Sequence, residues 1–332
     1  MRVLVTGSEG FIGSHLVEKL VRGGFVVRCF SLYSFDGHEG WLRDLAPQIR
    51  DQIEVFPGDI RDAERVLEAV RGCAAVFHLA SLIGIPYSYK AVESYISTNV
   101  VGTDNVLKAS LKQGVERVVH TSTSEVYGSA QYVPIDEAHP LVGQSPYAAS
   151  KIAADQFAIS YYRSFELPVT IVRPFNTYGP RQSPRAVIPT IISQALADPS
   201  GEIRIGSLTT SRDLTFVDDT VDGFVRAFES PAAVGETINL GTGEDVQIST
   251  LVETVGEILS MQLQPRQDET RVRPANSEVM RLVSDNSKAR RLLDWSPQLS
   301  GAEGLREGLS KTVAWWAQRT NHLDSDSRKY WI

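Results

Sequence analysis

A short β-branched run, Val3-Leu4-Val5-Thr6, leads directly into Gly7-Ser8-Glu9-Gly10-Phe11-Ile12-Gly13. Apolar side chains then recur at helical spacing, at Phe11, Ile12, Leu16, Leu20 and Val21. A strand, a turn with glycines three apart and an amphipathic helix, in that order, commit the chain to a crossover and hence to a second strand parallel to the first. Further strands are expected at 25–30, 53–56, 75–79, 117–121 and 169–173. Helices are expected over 91–112 and from Ser145 or Pro146 to about 165. This alternation predicts an α/β fold, a doubly wound parallel sheet with both faces covered.

After residue 174 the pattern loosens, punctuated by Pro174, Pro180, Pro184 and Pro189. The run Asp213–Val217 reads as a strand and 218–229 as a helix, so the first domain is expected to be re-entered there. The expected organisation is a Rossmann domain of residues 1–175 plus about 213–238. A smaller α/β carboxyl-terminal lobe would comprise about 176–212 plus 239–332. The polar tail beyond Trp316 ends in Tyr330, Trp331 and Ile332, expected to dock or to fray.

The 332 residues suit two such units. No run of about 18 apolar residues is present, and the strand at the amino terminus leaves no signal-peptide pattern. Two distant cysteines in apolar surroundings, Cys29 and Cys73, read as reduced core residues, not as a disulfide or metal framework. A cytoplasmic protein is therefore expected. With 33 basic and 40 acidic residues the net charge is −7, which argues against a nucleic-acid polymer as partner.

The glycine turn is a G-x-x-G-x-x-G variant of the dinucleotide fingerprint. Gly7 allows the tight turn, Gly10 allows a pyrophosphate to approach, and Gly13 allows the helix to pack on the sheet; Phe11 and Ile12 open that helix. Asp59 and Ile60, after the third strand, fall where adenine should rest, although Asp59 equally suits a loop cap. Such sites usually carry an acid at the end of the second strand to bind the ribose 2′-hydroxyl. Here Ser31 stands about there, with Arg28 three residues before. NAD and NADP both stay open, with NAD favoured.

Tyr147-Ala148-Ala149-Ser150-Lys151 sets a phenol and an ammonium four apart, on one helix face. An ammonium stabilises phenolate, making tyrosine a usable base near neutral pH. About 25 residues earlier, His120-Thr121-Ser122-Thr123-Ser124-Glu125-Val126-Tyr127-Gly128 ends a strand in hydroxyls and one carboxylate. The two segments together point to alcohol oxidation by hydride transfer.

These segments, with Arg173-Pro174-Phe175-Asn176-Thr177-Tyr178-Gly179-Pro180-Arg181, resemble the extended short-chain dehydrogenase/reductases (the NAD-dependent epimerase/dehydratase family) that act on nucleotide sugars. The resemblance spans nearly the whole chain. Residues 81–89, 143–147, 185–190 and 273–279 further resemble the NDP-N-acetylglucosamine 4,6-dehydratases of the legionaminic-acid pathway. The resemblance implies that Tyr147 takes the proton of the sugar 4-hydroxyl while hydride passes to nicotinamide. Lys151 would hold the nicotinamide ribose, Thr123 would bind the same 4-oxygen, and Glu125 would remove the carbon 5 proton. It further implies Leu79, Ala80, Ser81 and Asn99 at the cofactor, Pro86 and Ser88 at the substrate, and Asn176, Arg185, Arg212 and Arg273 at the diphosphate. For each arginine the alternative is an ordinary ion pair.

Ser124 replaces the aspartate that in related dehydratases protonates the leaving hydroxyl. Either Ser124 relays a proton through water or Glu125 returns the one it removed. The same segment also resembles UDP-glucuronic acid decarboxylases, and 4-epimerisation is a third activity open to this scaffold. A non-catalytic NAD(P) sensor would need none of Tyr147, Lys151 and Thr123. Related enzymes pair helices matching 91–112 and 148–165, which implies a homodimer.

Overall fold

The computed structural model describes residues 1–271 and 274–319. Seven strands lie parallel in its main sheet: β1 (Arg2–Thr6), β2 (Val26–Leu32), β3 (Ile53–Gly58), β4 (Ala75–His78), β5 (Arg117–Thr121), β6 (Val169–Pro174) and β7 (Thr237–Leu240). Across the sheet they run β7-β6-β5-β4-β1-β2-β3. Val3 pairs with Val27 on one side and Ala75 on the other, so the winding reverses between β1 and β4. Ligands of doubly wound sheets sit in the crevice that such a reversal opens at the strands' carboxyl ends.

Strand alternation divides the core. Val3 and Val5 face a layer with Leu16, Val17 and Leu20 of α1 (Phe11–Arg22), whereas Leu4 faces the opposite layer. That second layer takes Val66 and Val70 of α2 (Ala63–Val70), Val106 and Leu107 of α3 (Gly102–Gln113), and Ala158 and Tyr161 of α4 (Pro146–Phe165). Each fully buried valine or leucine contributes roughly 1.5–3 kcal/mol of transfer free energy, so two such layers fix the crevice firmly.

The re-entry expected at Asp213–Val217 takes a different form. Leu214–Phe216 pairs with Asn176–Tyr178 in a separate two-stranded sheet. The chain returns to the main layers through α5 (Val217–Glu229), which packs against α1, and through β7, which pairs with β6. In the lobe, Ser211–Arg212 lies between Val246–Gln247 and Arg281–Leu282. Buried Asp213 ties these pieces together by accepting from the Thr242 hydroxyl and from the backbone N–H groups of Thr242, Gly243 and Ser284.

The helix expected over 91–112 has a π-helical segment, Ile96–Val101, between Val92–Tyr95 and α3. No helix among the described residues is long and apolar enough to cross a membrane. Arg273 and the final residues, Tyr330, Trp331 and Ile332 included, lie outside the described residues.

Candidate active site

Ser145 caps α4 by accepting from the Ala148 N–H at 3.1 Å, and Pro146 occupies the first turn. This start places Tyr147 and Lys151 one turn apart on the buried face. Lys151 Nζ donates to the Thr121 carbonyl at 2.5 Å, which anchors it to the end of β5. One turn further on, buried Asp155 accepts from the Ser122 hydroxyl at 2.7 Å and from Arg173 at 3.0 and 3.2 Å. Arg173 also donates to the Tyr127 hydroxyl, which donates to Asn239 of β7. A buried polar network thus joins β5, α4, β6 and β7 beneath the site, and groups satisfied in this way hold their neighbours in place.

Thr123 begins a tight turn (Ser124–Tyr127) by accepting from the Glu125 N–H at 3.2 Å. Its hydroxyl is also within hydrogen-bonding reach of the Tyr147 phenol, and the Glu125 carboxylate is near enough to oppose phenolate formation. Ser124 is buried, while Thr123 and Glu125 are partly open. Thr123 and Glu125 thus lie on a turn whose side chains act on the Tyr147 phenol, while Lys151 is anchored to Thr121 at the end of β5.

Burial pushes the Tyr147 phenol well above its ordinary value; Thr123 opposes this, and Glu125 adds to it. Burial lowers Lys151 itself from 10.5 to about 8, against the pull of Asp155. Desolvation outweighs the pairwise attraction because both groups lie on the interior face of α4.

The glycine turn fits a dinucleotide. Gly7 has φ +67°, and a Cβ there would lie 2.8 Å from the Ala80 nitrogen; a Cβ on Gly13 would lie 2.1 Å from the Gly7 carbonyl oxygen. No side chain caps the first turn of α1, whose amides are free for a phosphate. The hydroxyl of Ser8 is buried without a partner among the described residues. Phe11 and Ile12 pack on the core, and Ser31 is buried at the end of β2. Arg28 points away from this corner: its guanidinium holds Glu54 and the carbonyls of Ala69 and Arg71. Asp59 is paired with Arg61, and Asp62 caps α2. Ile60 is buried where a Cβ on Gly102 would meet it at 2.8 Å.

Asn99 sits in the π-helical segment and is fully buried. Its amide accepts from the Leu82 N–H and donates to the Leu82 carbonyl and to the Ser150 hydroxyl, at 2.8–3.0 Å. It therefore ties Leu82, which follows the Leu79-Ala80-Ser81 loop, to α4. Thr6, overlooked in the sequence, holds the same loop by accepting from the Leu79 and Ala80 N–H groups at 3.1 Å.

On the substrate side, Pro86 is half-buried, and the Ser88 hydroxyl donates to the Ile85 carbonyl within its own turn. Tyr89 binds Ser277, which donates to the Gln144 carbonyl, so this turn, the lobe and the approach to α4 meet. Asn176 Oδ1 is buried without a partner among the described residues. Arg185 is exposed; the Tyr95 hydroxyl is pushed up to about 12 by burial, a rise that Arg185 only partly opposes. Arg212 is buried and paired with Glu278 at 3.2 Å, so a phosphate there would have to share it.

A doubly wound sheet with a glycine turn at its switch point, and a tyrosine, lysine and threonine near the carboxyl end of β5, is the layout of a short-chain dehydrogenase/reductase. More narrowly, the chain matches the GDP-mannose 4,6 dehydratase family over residues 4–308 and belongs to that family. It is 34% identical to a UDP-glucose 4-epimerase of Mycolicibacterium smegmatis, covering 96% of this chain and 100% of the relative. It is 32% identical to a dTDP-glucose 4,6-dehydratase of an Actinoplanes species, covering 95% and 98%. Among solved structures, DesIV, the dTDP-glucose 4,6-dehydratase of Streptomyces venezuelae with NAD and TYD bound, superposes with a TM-score of 0.85 at 31% identity, covering 98% of this chain and 99% of that one.

Proposed function

We propose that this chain is a nucleotide-sugar 4,6-dehydratase of the legionaminic-acid-pathway type, turning an NDP-N-acetylglucosamine into its 4-keto-6-deoxy form. The observation that carries this reading is Glu125 beside the Tyr147–Thr123 pair. Epimerisation gives that carboxylate no evident task, whereas elimination requires a base at carbon 5.

Tyr147 takes the proton of the 4-hydroxyl, and Thr123 holds the same oxygen. NAD, seated by the glycine turn and the first turn of α1, would supply the hydride acceptor at carbon 4 and the donor at carbon 6, with no net change in the cofactor. The 4-ketone acidifies carbon 5, whose proton Glu125 removes. Ser124 cannot release a proton near neutral pH, so Glu125 hands the proton it gained to the 6-hydroxyl, which leaves as water. After hydride return, a solvent proton completes carbon 5, balanced by the one that Tyr147 releases. Gly7, Gly10 and Gly13 would seat the dinucleotide, tightly bound because it is recycled. In the lobe of about 176–212 plus 239–332, Asn176, Arg185 and Arg212, joined by Arg273, would hold the diphosphate, a task suited to guanidinium forks.

Ser124 in place of an acid favours a second reading, UDP-glucuronate decarboxylation or 4-epimerisation, since neither needs a leaving hydroxyl protonated. Product masses from a panel of UDP- and GDP-linked sugars separate the three. Loss of water from NDP-N-acetylglucosamine supports dehydration; loss of carbon dioxide from UDP-glucuronate, or conversion without mass change, refutes it.

A cytoplasmic homodimer belongs to the same proposal. Val101 and Leu111 on one helical segment, and Phe157, Tyr162 and Phe165 on α4, are exposed apolar residues suited to such an interface. Light scattering at the monomer mass would refute it.

A further inference from the structure

The second strand ends without the acid that usually reads the adenosine ribose, yet a carboxylate stands at that place from another source. Glu9, in the middle of the glycine turn, reaches across so that its Oε1 accepts from the Leu32 N–H at 2.9 Å. Its backbone carbonyl is fixed by the Trp41 N–H at 2.9 Å, and a Cβ on Gly40 would lie 2.5 Å from that oxygen, so the loop after β2 closes tightly on Glu9. The other carboxylate oxygen, Oε2, is buried and has no hydrogen-bond partner among the described residues.

We propose that Glu9 is the cofactor-specificity residue of this enzyme: its free oxygen accepts from the ribose hydroxyls of NAD, and its charge excludes the 2′-phosphate of NADP. The assignment rests on the dehydrogenase/reductase reading of the glycine turn.

An acceptor-only carboxylate suits a hydroxyl donor and repels a phosphate, which offers no proton at neutral pH. The basic groups of this corner do not reverse that sign. Arg28 holds Glu54, Arg50 holds Glu39, and Arg61 holds Asp59. A 2′-phosphate placed here would meet Glu9 with no uncommitted guanidinium among these three. Burial also raises the Glu9 carboxyl above its ordinary range while the Leu32 N–H opposes the rise, as befits an oxygen lacking a donor. Ser31, the residue at the customary position, is neutral and buried, and so exerts no such selection.

The test is calorimetric binding to cofactor-stripped protein, with NAD, NADP, ADP-ribose and 2′-phospho-ADP-ribose as ligands. The last two lack nicotinamide and isolate the ribose end. Wild type is expected to prefer the unphosphorylated member of each pair by at least about 100-fold, a typical reach for one charge-based discrimination. Glu9→Gln should narrow that preference at least about tenfold, chiefly by tightening the phosphorylated ligand, and Glu9→Ala should do the same. Thermal melting verifies that each variant is folded. Equal binding of both members by wild type overturns the assignment, as does a wild-type preference that persists in a folded variant. Failure of all four ligands to bind wild type would instead overturn the dinucleotide reading itself.

Discussion

Lys151 donates to the Thr121 carbonyl from a fully buried position, and burial lowers its pKa from 10.5 to about 8. Each unit corresponds to about 1.4 kcal/mol, so holding the ammonium at pH 7 costs the folded, cofactor-free protein about 3 kcal/mol relative to the unfolded chain. The folded pKa lies below the unfolded one, so this cost is full below about pH 8 and is relieved as pH rises toward 10.5. Between pH 7 and pH 9 the relief is about 1 kcal/mol. Lys151→Met removes the cost but leaves the Thr121 carbonyl without its donor, a loss of about 1–3 kcal/mol. The variant should therefore be about as stable as wild type, or slightly more so, at pH 7. Its advantage should shrink by about 1 kcal/mol at pH 9, while turnover falls at least about 100-fold at both values. Guanidinium midpoints and product assays at the two pH values read this directly. A stability difference independent of pH, or a variant that keeps its turnover, would refute the reasoning.

Tyr147→Phe should lower turnover at least about 1000-fold while leaving sugar-nucleotide affinity within a few-fold, measured by product formation and calorimetry. Glu125→Gln should block water loss yet permit 4-oxidation, seen as absorbance of reduced cofactor at 340 nm; unaltered product formation would exclude Glu125 as the base. Asn99→Ala strands the Leu82 N–H and carbonyl and removes a donor from the Ser150 hydroxyl, and should destabilise the protein by about 2–4 kcal/mol. Asp155→Asn leaves Arg173 buried without its counter-charge and should cost about 3–5 kcal/mol; the melting temperatures of both variants check these losses.

Local pattern sufficed where local forces decide the outcome. The strand at Arg117–Thr121 and the helix from Pro146 to Phe165 stand where the β-branched run and the Ser145-Pro146 start put them. Pairing is another matter. Asp213–Val217 reads as a strand, but nothing in five residues says that Leu214–Phe216 will pair with Asn176–Tyr178 instead of joining β6. The π-helical turn at Ile96–Val101 leaves no mark in apolar spacing, so the bracing bonds of Asn99 to Leu82 and Ser150 could not be read from the sequence. The Tyr147–Lys151 spacing was plain. Its electrostatics were not, because depth of burial is set by layers far away in sequence. Glu9 escaped attention because the glycines around it define the motif and the positions between them read as spacers.

The seventh strand has a consequence for how the chain is made. β7 covers β6 only after the intervening residues 175–236 have been laid down. Until residue 240 has left the ribosome, β6 is an open edge, with the N–H of Phe175 lacking the Leu240 carbonyl and the hydroxyl of Tyr127 lacking Asn239. Nascent chains shorter than this carry a bare parallel edge of buried character, the kind that pairs with neighbours. Completion of the main sheet is thus tied to synthesis of the segment between β6 and β7. A fragment ending near residue 175 should be recovered as aggregate and not as a smaller folded unit.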